Sequence, residues 1–195
     1  MRSVRLLAAA AVLCWTAVPA VHGQAQAQLD PVPLHLTAFA VNMSNIAPGT
    51  SAMVDIKINQ WSTEATRTKL INTFVEKGPN KLLDALQDQK PIGYIKLPNT
   101  LGYDLRFARE TPLEDGGRRI LIVTDRYITQ WEAMNQPRTM DYPFTLIEIH
   151  LNKNGTGEGK LSVATKITLN KKDNVVELEN YSSEPVRLNQ NKIAK

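Results

Sequence analysis

The chain has 195 residues, with 23 Lys or Arg against 19 Asp or Glu, 3 His and 1 Cys. This length is enough for one domain with a substantial apolar core and too short to expect two. The near balance of charge gives no compositional support for nucleic-acid binding, and a single cysteine excludes an intramolecular disulfide framework.

The first segment is typical of a secretory signal peptide. Arg2 and Arg5 precede an apolar run over residues 6–21, and small residues follow it. Cleavage is predicted after Gly23 or after Ala27. The sequence therefore predicts a signal peptide at residues 1–27 and a protein exported to the periplasm or to the extracellular space.

The apolar run is shorter than a membrane-spanning helix, and Pro19 interrupts it, so we expect no integral membrane segment in the mature chain. Cleavage removes two arginines and no acid. This leaves 21 basic against 19 acidic residues, a net charge of +2 instead of +4. Cleavage also removes Cys14, so no thiol remains for a disulfide, for catalysis or for metal binding.

Residues 28–33 contain Pro31 and Pro33 and show no regular period, which predicts an extended linker. Residues 34–190 are predicted to form one domain, and residues 191–195 a short tail. Two strands come first, at residues 34–41 and 52–61. In the second strand Val54, Ile56 and Ile58 alternate with polar residues, as in a strand with one buried face.

The apolar period then changes from two to 3.6 residues, which predicts a helical hairpin. Ser62 or Thr63 is expected to cap the first helix, and Gly78-Pro79 to end it. Its apolar stripe comprises Leu70, Ile71, Phe74 and Val75. A second helix is predicted at residues 80–89. Neither helix can bury its apolar residues alone, so the pair must pack on another apolar surface.

Six further strands are predicted at residues 92–97, 103–110, 119–125, 144–151, 161–169 and 175–181. Tight turns between them favour antiparallel neighbours. The predicted fold is α+β, a curved, mainly antiparallel sheet of about eight strands that forms a sandwich or a partial barrel. The helical hairpin is inserted between the second and third strands.

The distribution of apolar residues along two of the strands predicts which of their faces are buried. Residues 120–123 are apolar on both faces, which predicts a central strand that the helical hairpin covers on one side. In the strand 103–110, alternation predicts an inward face of Tyr103, Leu105 and Phe107. The same alternation predicts a solvated face of Asp104, Arg106 and Glu110.

Glu148 and His150 share one face of the strand 144–151, and a three-residue hairpin loop at Asn154–Thr156 would add Lys160 and Ser162 to that face. One interpretation is the floor of a charged binding pocket. The other is a solvated face with ordinary cross-strand ion pairs, which is the commoner arrangement. The histidines of the mature chain are far apart in sequence, so we expect no metal site and no cofactor.

A second candidate binding segment runs from Trp131 to Phe144, because it is long, irregular and rich in large side chains. Its candidate binding residues are Trp131, Arg138, Asp141 and Tyr142. Arg138 would suit an anionic ligand. The alternative interpretation is an aromatic plug that seals one end of the sheet, with Arg138 paired to Asp141.

Pairs of carboxylates are the remaining candidate chemistry, because glycoside hydrolysis needs two acids a few ångströms apart. The acids near predicted strand ends or on polar faces are Asp104, Glu110, Asp125, Asp141 and Glu148. A chain with 19 acids places such pairs together by chance, so no catalytic residue is assigned.

Three phrases resemble a family of uncharacterised exported bacterial proteins of unknown function. They are Asn135–Arg138, Asp141–Ile149 and Glu179–Leu188. The resemblance covers most of the mature chain, from about Leu34 to Leu188. It implies a bacterial, exported protein and no particular activity.

Three functions stay open. The first is an exported, non-enzymatic domain that binds an apolar or amphipathic small molecule or a cell-envelope partner. It predicts an apolar pocket between sheet and helical hairpin, with Trp61, Tyr94, Phe107 or Trp131 near its mouth. The alternatives are a carboxylate-dependent periplasmic hydrolase and a structural envelope subunit. The absence of a mature thiol, of clustered histidines and of a phosphate loop favours binding over catalysis.

Overall fold

The computed structural model describes residues 29–43, 49, 51–99, 101–126, 128, 143–170, 175–180 and 186–194. The predicted signal peptide at residues 1–27 lies outside the described residues, as do the predicted binding residues Trp131, Arg138, Asp141 and Tyr142. Within the described ranges, neither helix combines the length and the apolar character that crossing a bilayer requires.

The described residues form two helices and nine strands. The helices are α1 (Glu64–Lys77) and α2 (Pro79–Gln87). The strands are β1 (Leu34–Val41), β2 (Ser51–Ile58), β3 (Gly93–Lys96), β4 (Tyr103–Pro112), β5 (Arg118–Thr124), β6 (Phe144–Leu151), β7 (Thr156–Asn170), β8 (Val175–Asn180) and β9 (Val186–Ile193).

Eight of these strands close into an antiparallel barrel. Around the ring the order is β1, β2, β3, β4, β5, β6, β7 and β9, and β9 pairs with β1. The remaining strand, β8, pairs with the C-terminal part of β7, at Thr165–Asn170. The predicted α+β fold with a curved antiparallel sheet of about eight strands is confirmed, and the curvature proceeds to complete closure.

Alternating side chains fill the interior of the barrel. In β2, Val54, Ile56 and Ile58 are buried inside, whereas Asp55 and Lys57 lie on the outer face. The other barrel strands contribute their apolar residues to the same continuous cluster. Burial of a Val, Leu or Ile side chain stabilises the fold by about 1.5–3 kcal/mol. The inside of the barrel is therefore a packed hydrophobic core.

The helical hairpin lies between β2 and β3 in the chain, as predicted. Thr63 caps α1, because its Oγ1 accepts a hydrogen bond of 3.1 Å from the N–H of Thr66. The helix ends at Gly78, whose φ of 82° is unfavourable for residues with a side chain. Pro79 then occupies the first turn of α2, where its missing N–H costs nothing.

The hairpin packs on the outer face of the barrel and forms a second apolar cluster there. Leu70 and Phe74 of α1 join Leu82, Ala85 and Leu86 of α2 in this cluster. The barrel side consists of Phe107, Val123, Phe144 and Ile167. On the outer face of the central strand β5 the hairpin thus covers Val123, as predicted, and leaves Leu121 partly exposed. The predicted stripe on α1 was wrong for Ile71 and Val75, which are 42% and 46% exposed.

A β-bulge in β4 corrects the predicted faces of that strand. The register between β4 and β5 shifts between Leu105 and Phe107, so the residues that follow the bulge change sides. Phe107 was predicted to face inward and instead packs beneath the helices. Glu110 was predicted to be solvated and instead is 6% exposed. The bulge therefore exchanges an apolar and an ionisable side chain between the two faces.

Both ends of the described chain are tied to the barrel. β9 continues to Ile193, past residue 190 where the domain was predicted to end, and Ala194 donates its N–H to the carbonyl of His35 at 2.8 Å. At the other end, Asp30 lies in the predicted linker, and its N–H donates to Glu110 Oε2 at 2.7 Å. These contacts extend the folded domain in both directions.

Candidate functional site

A groove of about 350 Å³ lies between the helical hairpin and the outer face of the barrel. Its helical wall includes Leu70, Phe74 and Leu86, and its barrel wall includes Phe107, Leu121 and Leu146. Leu121 and Leu146 are only partly buried, and Ile71 at the helical border is 42% exposed. The groove therefore presents apolar surface that the fold leaves partly uncovered.

The rim of this groove carries two arginines, Arg67 on α1 and Arg109 on β4. Glu64 joins them. Its Oε1 accepts a hydrogen bond from Arg67 Nη1 at 2.8 Å, and its Oε2 accepts one from Arg109 Nη1 at 2.7 Å. The bond from Arg67, helped by that from Arg109, lowers the pKa of the Glu64 carboxyl below its usual range. The rim is thus a triad of two cations and one anion.

A charged depression of about 450 Å³ lies on the outer face of β6, β7 and β9. It contains the predicted pair, with His150 Nε2 at 2.8 Å from Glu148 Oε1. Across the β6–β7 ladder, Glu148 lies opposite Lys160 and His150 opposite Glu158. The loop comprises residues 153–155, one position earlier than predicted, because Gly155 adopts a φ of 73° that suits this turn.

This charged depression is an exposed surface, since the side chains of His150 and Glu148 are 54% and 37% accessible. Acids and bases alternate across the strands, and ion pairs of this exposure contribute about 0–1 kcal/mol each. The depression also lies beside the apolar groove. Leu121 pairs directly with Glu148, and Leu146 lies two residues before Glu148 on the same face of β6.

An ionic cluster of the buried Glu110 with the partly buried Asp30 and Arg118 lies near the β4–β5 turn. Arg118 Nε lies 2.7 Å from Asp30 Oδ2 and 3.4 Å from Glu110 Oε1. Trp61 donates its indole N–H to the Asp30 carbonyl at 2.9 Å. This cluster was not predicted, because the bulge that turns Glu110 inward changes the faces expected from simple alternation. The consecutive apolar residues Phe107 and Ala108, which interrupt the alternation of β4, are the signal that would have revealed it.

Burial raises the pKa of the Glu110 carboxyl, and the charge of Asp30 adds to this. The Asp30 N–H and the Arg118 guanidinium act in the opposite direction. A carboxyl whose pKa is raised by folding holds its proton more tightly in the folded state. Its contribution to stability is therefore complete below the ordinary pKa of 4.5 and is lost as the pH rises through the folded-state pKa.

We expect Glu110→Gln to remove this pH dependence, because glutamine cannot ionise and keeps an oxygen for the Asp30 N–H. The Tm of the variant minus the Tm of the wild type should therefore increase as the pH rises from about 4 to about 7. Thermal unfolding followed by circular dichroism measures this difference. Glu114→Gln, at an exposed position in the neighbouring turn, is the control and should follow the wild-type curve. Parallel curves for Glu110→Gln and the wild type would contradict the prediction.

The predicted carboxylates do not converge on an open cleft in the described structure. Asp104 and Asp125 both pair with Arg106, at 3.3 and 3.1 Å, and Glu110 faces Arg118. Asp141 lies outside the described residues. Among the residues that are described, no three His, Asp or Glu side chains are grouped to share a metal ion.

Comparison with known proteins gives no further assignment, because no protein-family model, curated protein or solved structure matches this chain. Of the six predicted binding residues, the structure places Glu148 and His150 together, and the other four lie outside its described part. Of the residues expected at the mouth of an apolar pocket, Phe107 lines the groove. Trp61 instead packs against the core cluster of the barrel.

Proposed function

We propose that this chain is an exported, non-enzymatic binding domain whose groove takes the apolar part of an amphipathic small molecule. The observation that carries the proposal is the apolar groove between the helical hairpin and the outer face of the barrel. Export rests on the predicted signal peptide at residues 1–27 and on the resemblance to exported bacterial proteins.

The groove is preferred over the barrel interior because the interior is occupied by the protein's own side chains. Its volume of about 350 Å³ lies in the range of about 300–1,000 Å³ that is usual for small-molecule sites. Each methylene group that an occupant buries there gains about 0.8 kcal/mol. A chain of several methylene groups would therefore bind well enough to offset part of the entropic cost of association.

The groove also has polar groups at its borders, and this favours an amphipathic over a purely apolar ligand. Arg67 and Arg109 stand at the rim, and Glu148 follows Leu146 on the outer face of β6. A ligand with its chain on Leu121 and Leu146 would place its head among charged side chains.

The test is a pair of substitutions on α1, measured with the neutral fluorescent probe phenylnaphthylamine. Ile71 lines the groove. Val75, one turn later and similarly exposed, instead lines an adjoining cleft at the α1–α2 turn that shares Phe74 with the groove. We expect Ile71→Asp to weaken probe binding by about tenfold or more, because a carboxylate in the groove must lose solvation when the probe binds. Val75→Asp should bind as the wild type does. Equal affinities of the two variants, or no binding to the wild type, would contradict the proposed function.

A further inference from the structure

We propose that Arg67 and Arg109 form an anion-binding seat at the rim of the groove, which Glu64 fills in the free protein. The ligand class is then a long-chain carboxylate. This inference rests on the proposed function and adds to it the chemistry of the ligand head group.

The geometry of Glu64 shows that one carboxylate can bridge both guanidinium groups. One of its oxygens is 2.8 Å from Arg67 Nη1 and the other is 2.7 Å from Arg109 Nη1. The two arginines belong to different elements, one to α1 and one to β4, and both line the apolar groove. A carboxylate attached to a chain in that groove can make the same two charge-assisted hydrogen bonds.

The charge of the rim also favours an anion. The triad of Arg67, Arg109 and Glu64 has an excess of one positive charge beside an apolar surface. Glu148, the acid at the border on β6, is separated from Arg109 by the intervening strand β5. The excess is attractive to a carboxylate and repulsive to an amine, so the rim discriminates between amphiphiles that have the same chain.

Glu64 is suited to give way to such a ligand because it is weakly held. Its side chain is 63% exposed, and those of Arg67 and Arg109 are 41% and 40% exposed. Ion pairs at this exposure are worth little, since water screens them and long side chains must be ordered to make them. Glu64 also lies in the first turn of α1, where rotation about its side-chain bonds moves the carboxylate into solvent without disturbing the helix.

The structure therefore assigns Glu64 the part of an internal competitor. A ligand carboxylate must displace Glu64 from the two arginines, and this displacement reduces the net free energy of ligand binding. Removal of the Glu64 charge should strengthen binding of the anion, which is the opposite of what the loss of an ordinary binding residue would do.

The experiment compares laurate with dodecanol, which have the same chain length and differ in the charge of the head group. Each is titrated against phenylnaphthylamine bound to the full mature chain, at a pH where laurate is ionised. We expect Glu64→Gln to bind laurate about threefold to tenfold more tightly than the wild type and to leave dodecanol unchanged. Arg109→Gln should weaken laurate binding by a similar factor and change dodecanol binding far less.

Glu76→Gln is the matched control, because Glu76 is an exposed acid of the same helix that lines the adjoining cleft and not the groove. It removes the same charge from the protein and should change laurate binding far less than Glu64→Gln. The laurate effects of Glu64→Gln and Arg109→Gln should also shrink in high salt, since exposed charges are screened.

The outcomes separate this inference from the proposed function. Suppose that dodecanol displaces the probe but Glu64→Gln leaves the affinity for laurate unchanged or lowers it. The proposed anion-binding seat is then wrong, whereas the groove remains supported as the binding site. If neither amphiphile displaces the probe from the wild type, the proposed function itself fails. Equal gains in laurate affinity for Glu64→Gln and Glu76→Gln would show that the change in net charge explains the effect. That result would also contradict the anion-binding seat.

Discussion

Phe144→Ala is expected to destabilise the protein by about 3–5 kcal/mol, which is the usual cost of deleting a large aromatic side chain from a packed site. Phe144 is fully buried, with 0% exposure, and belongs to the cluster that joins the helical hairpin to the barrel. For a chain of this length, each kcal/mol corresponds to about 2–4 °C in Tm, so the Tm should fall by roughly 6–20 °C.

The matched control for this prediction is Phe39→Ala. Phe39 lies on β1, is 38% exposed and belongs to neither apolar cluster. Its truncation removes little buried surface and should cost well under half as much as Phe144→Ala. Differential scanning calorimetry of both variants measures the difference. Similar losses for the two phenylalanines would show that the helices do not depend on this patch of the barrel.

Arg118→Met is expected to cost about 3–5 kcal/mol at neutral pH, because it leaves Asp30 and Glu110 without their shared cation. The side chains of Arg118, Asp30 and Glu110 are 19%, 17% and 3% exposed, respectively. Water can therefore solvate the two carboxylates only weakly when the arginine is absent. Methionine keeps most of the volume of the arginine stem, which limits the packing defect. The expected loss is therefore mainly electrostatic.

Acid should reduce the loss caused by Arg118→Met. Protonation of Glu110 below its ordinary pKa of 4.5 removes one of the uncompensated charges, so the variant should approach the wild type at about pH 4. Urea unfolding at about pH 4 and about pH 7 measures this change. Arg119→Met, at the next and exposed position of β5, is the control and should stay within about 0.5 kcal/mol at both pH values. A loss that is equal at both pH values would contradict the electrostatic explanation.

The parts of the fold that the sequence predicted are those with a clean local pattern. β1 and β6 have the predicted bounds, and β2 buries the three residues that its alternation singled out. The helical hairpin was recognised because Gly78-Pro79 breaks a 3.6-residue period and Thr63 offers a cap. These signals act over a few residues and need no knowledge of distant neighbours.

The missed parts depend on contacts between distant segments. β9 (Val186–Ile193) was not predicted as a strand, because its inward positions are not all apolar. Asn191, which is 0% exposed, takes one of them and donates to the Leu188 carbonyl at 2.8 Å. The pairing of β9 with β1, which closes the barrel, joins opposite ends of the domain. No local pattern encodes such a pairing.

The candidate site was predicted in outline and not in its polar residues. A pocket between sheet and helices with Phe107 near its mouth agrees with the groove. Yet Phe107 reaches the groove only because the bulge turns it outward. Glu64 and Arg67 are three residues apart on one helix, a spacing that predicts an ion pair. Arg109 could not be added to them, because its approach depends on how the helices lie against the barrel.

Closure of the barrel has a consequence for self-association. Every strand of the ring pairs with a neighbour on each side over at least part of its length. Because β3 is short, Ser51–Val54 of β2 and Phe107–Pro112 of β4 pair with a strand on one side. In the described part of the structure, β8 has β7 as its sole partner and presents an open edge. The open edge of β8 is therefore a place at which another polypeptide can add a strand, either in a productive complex or in an aggregate.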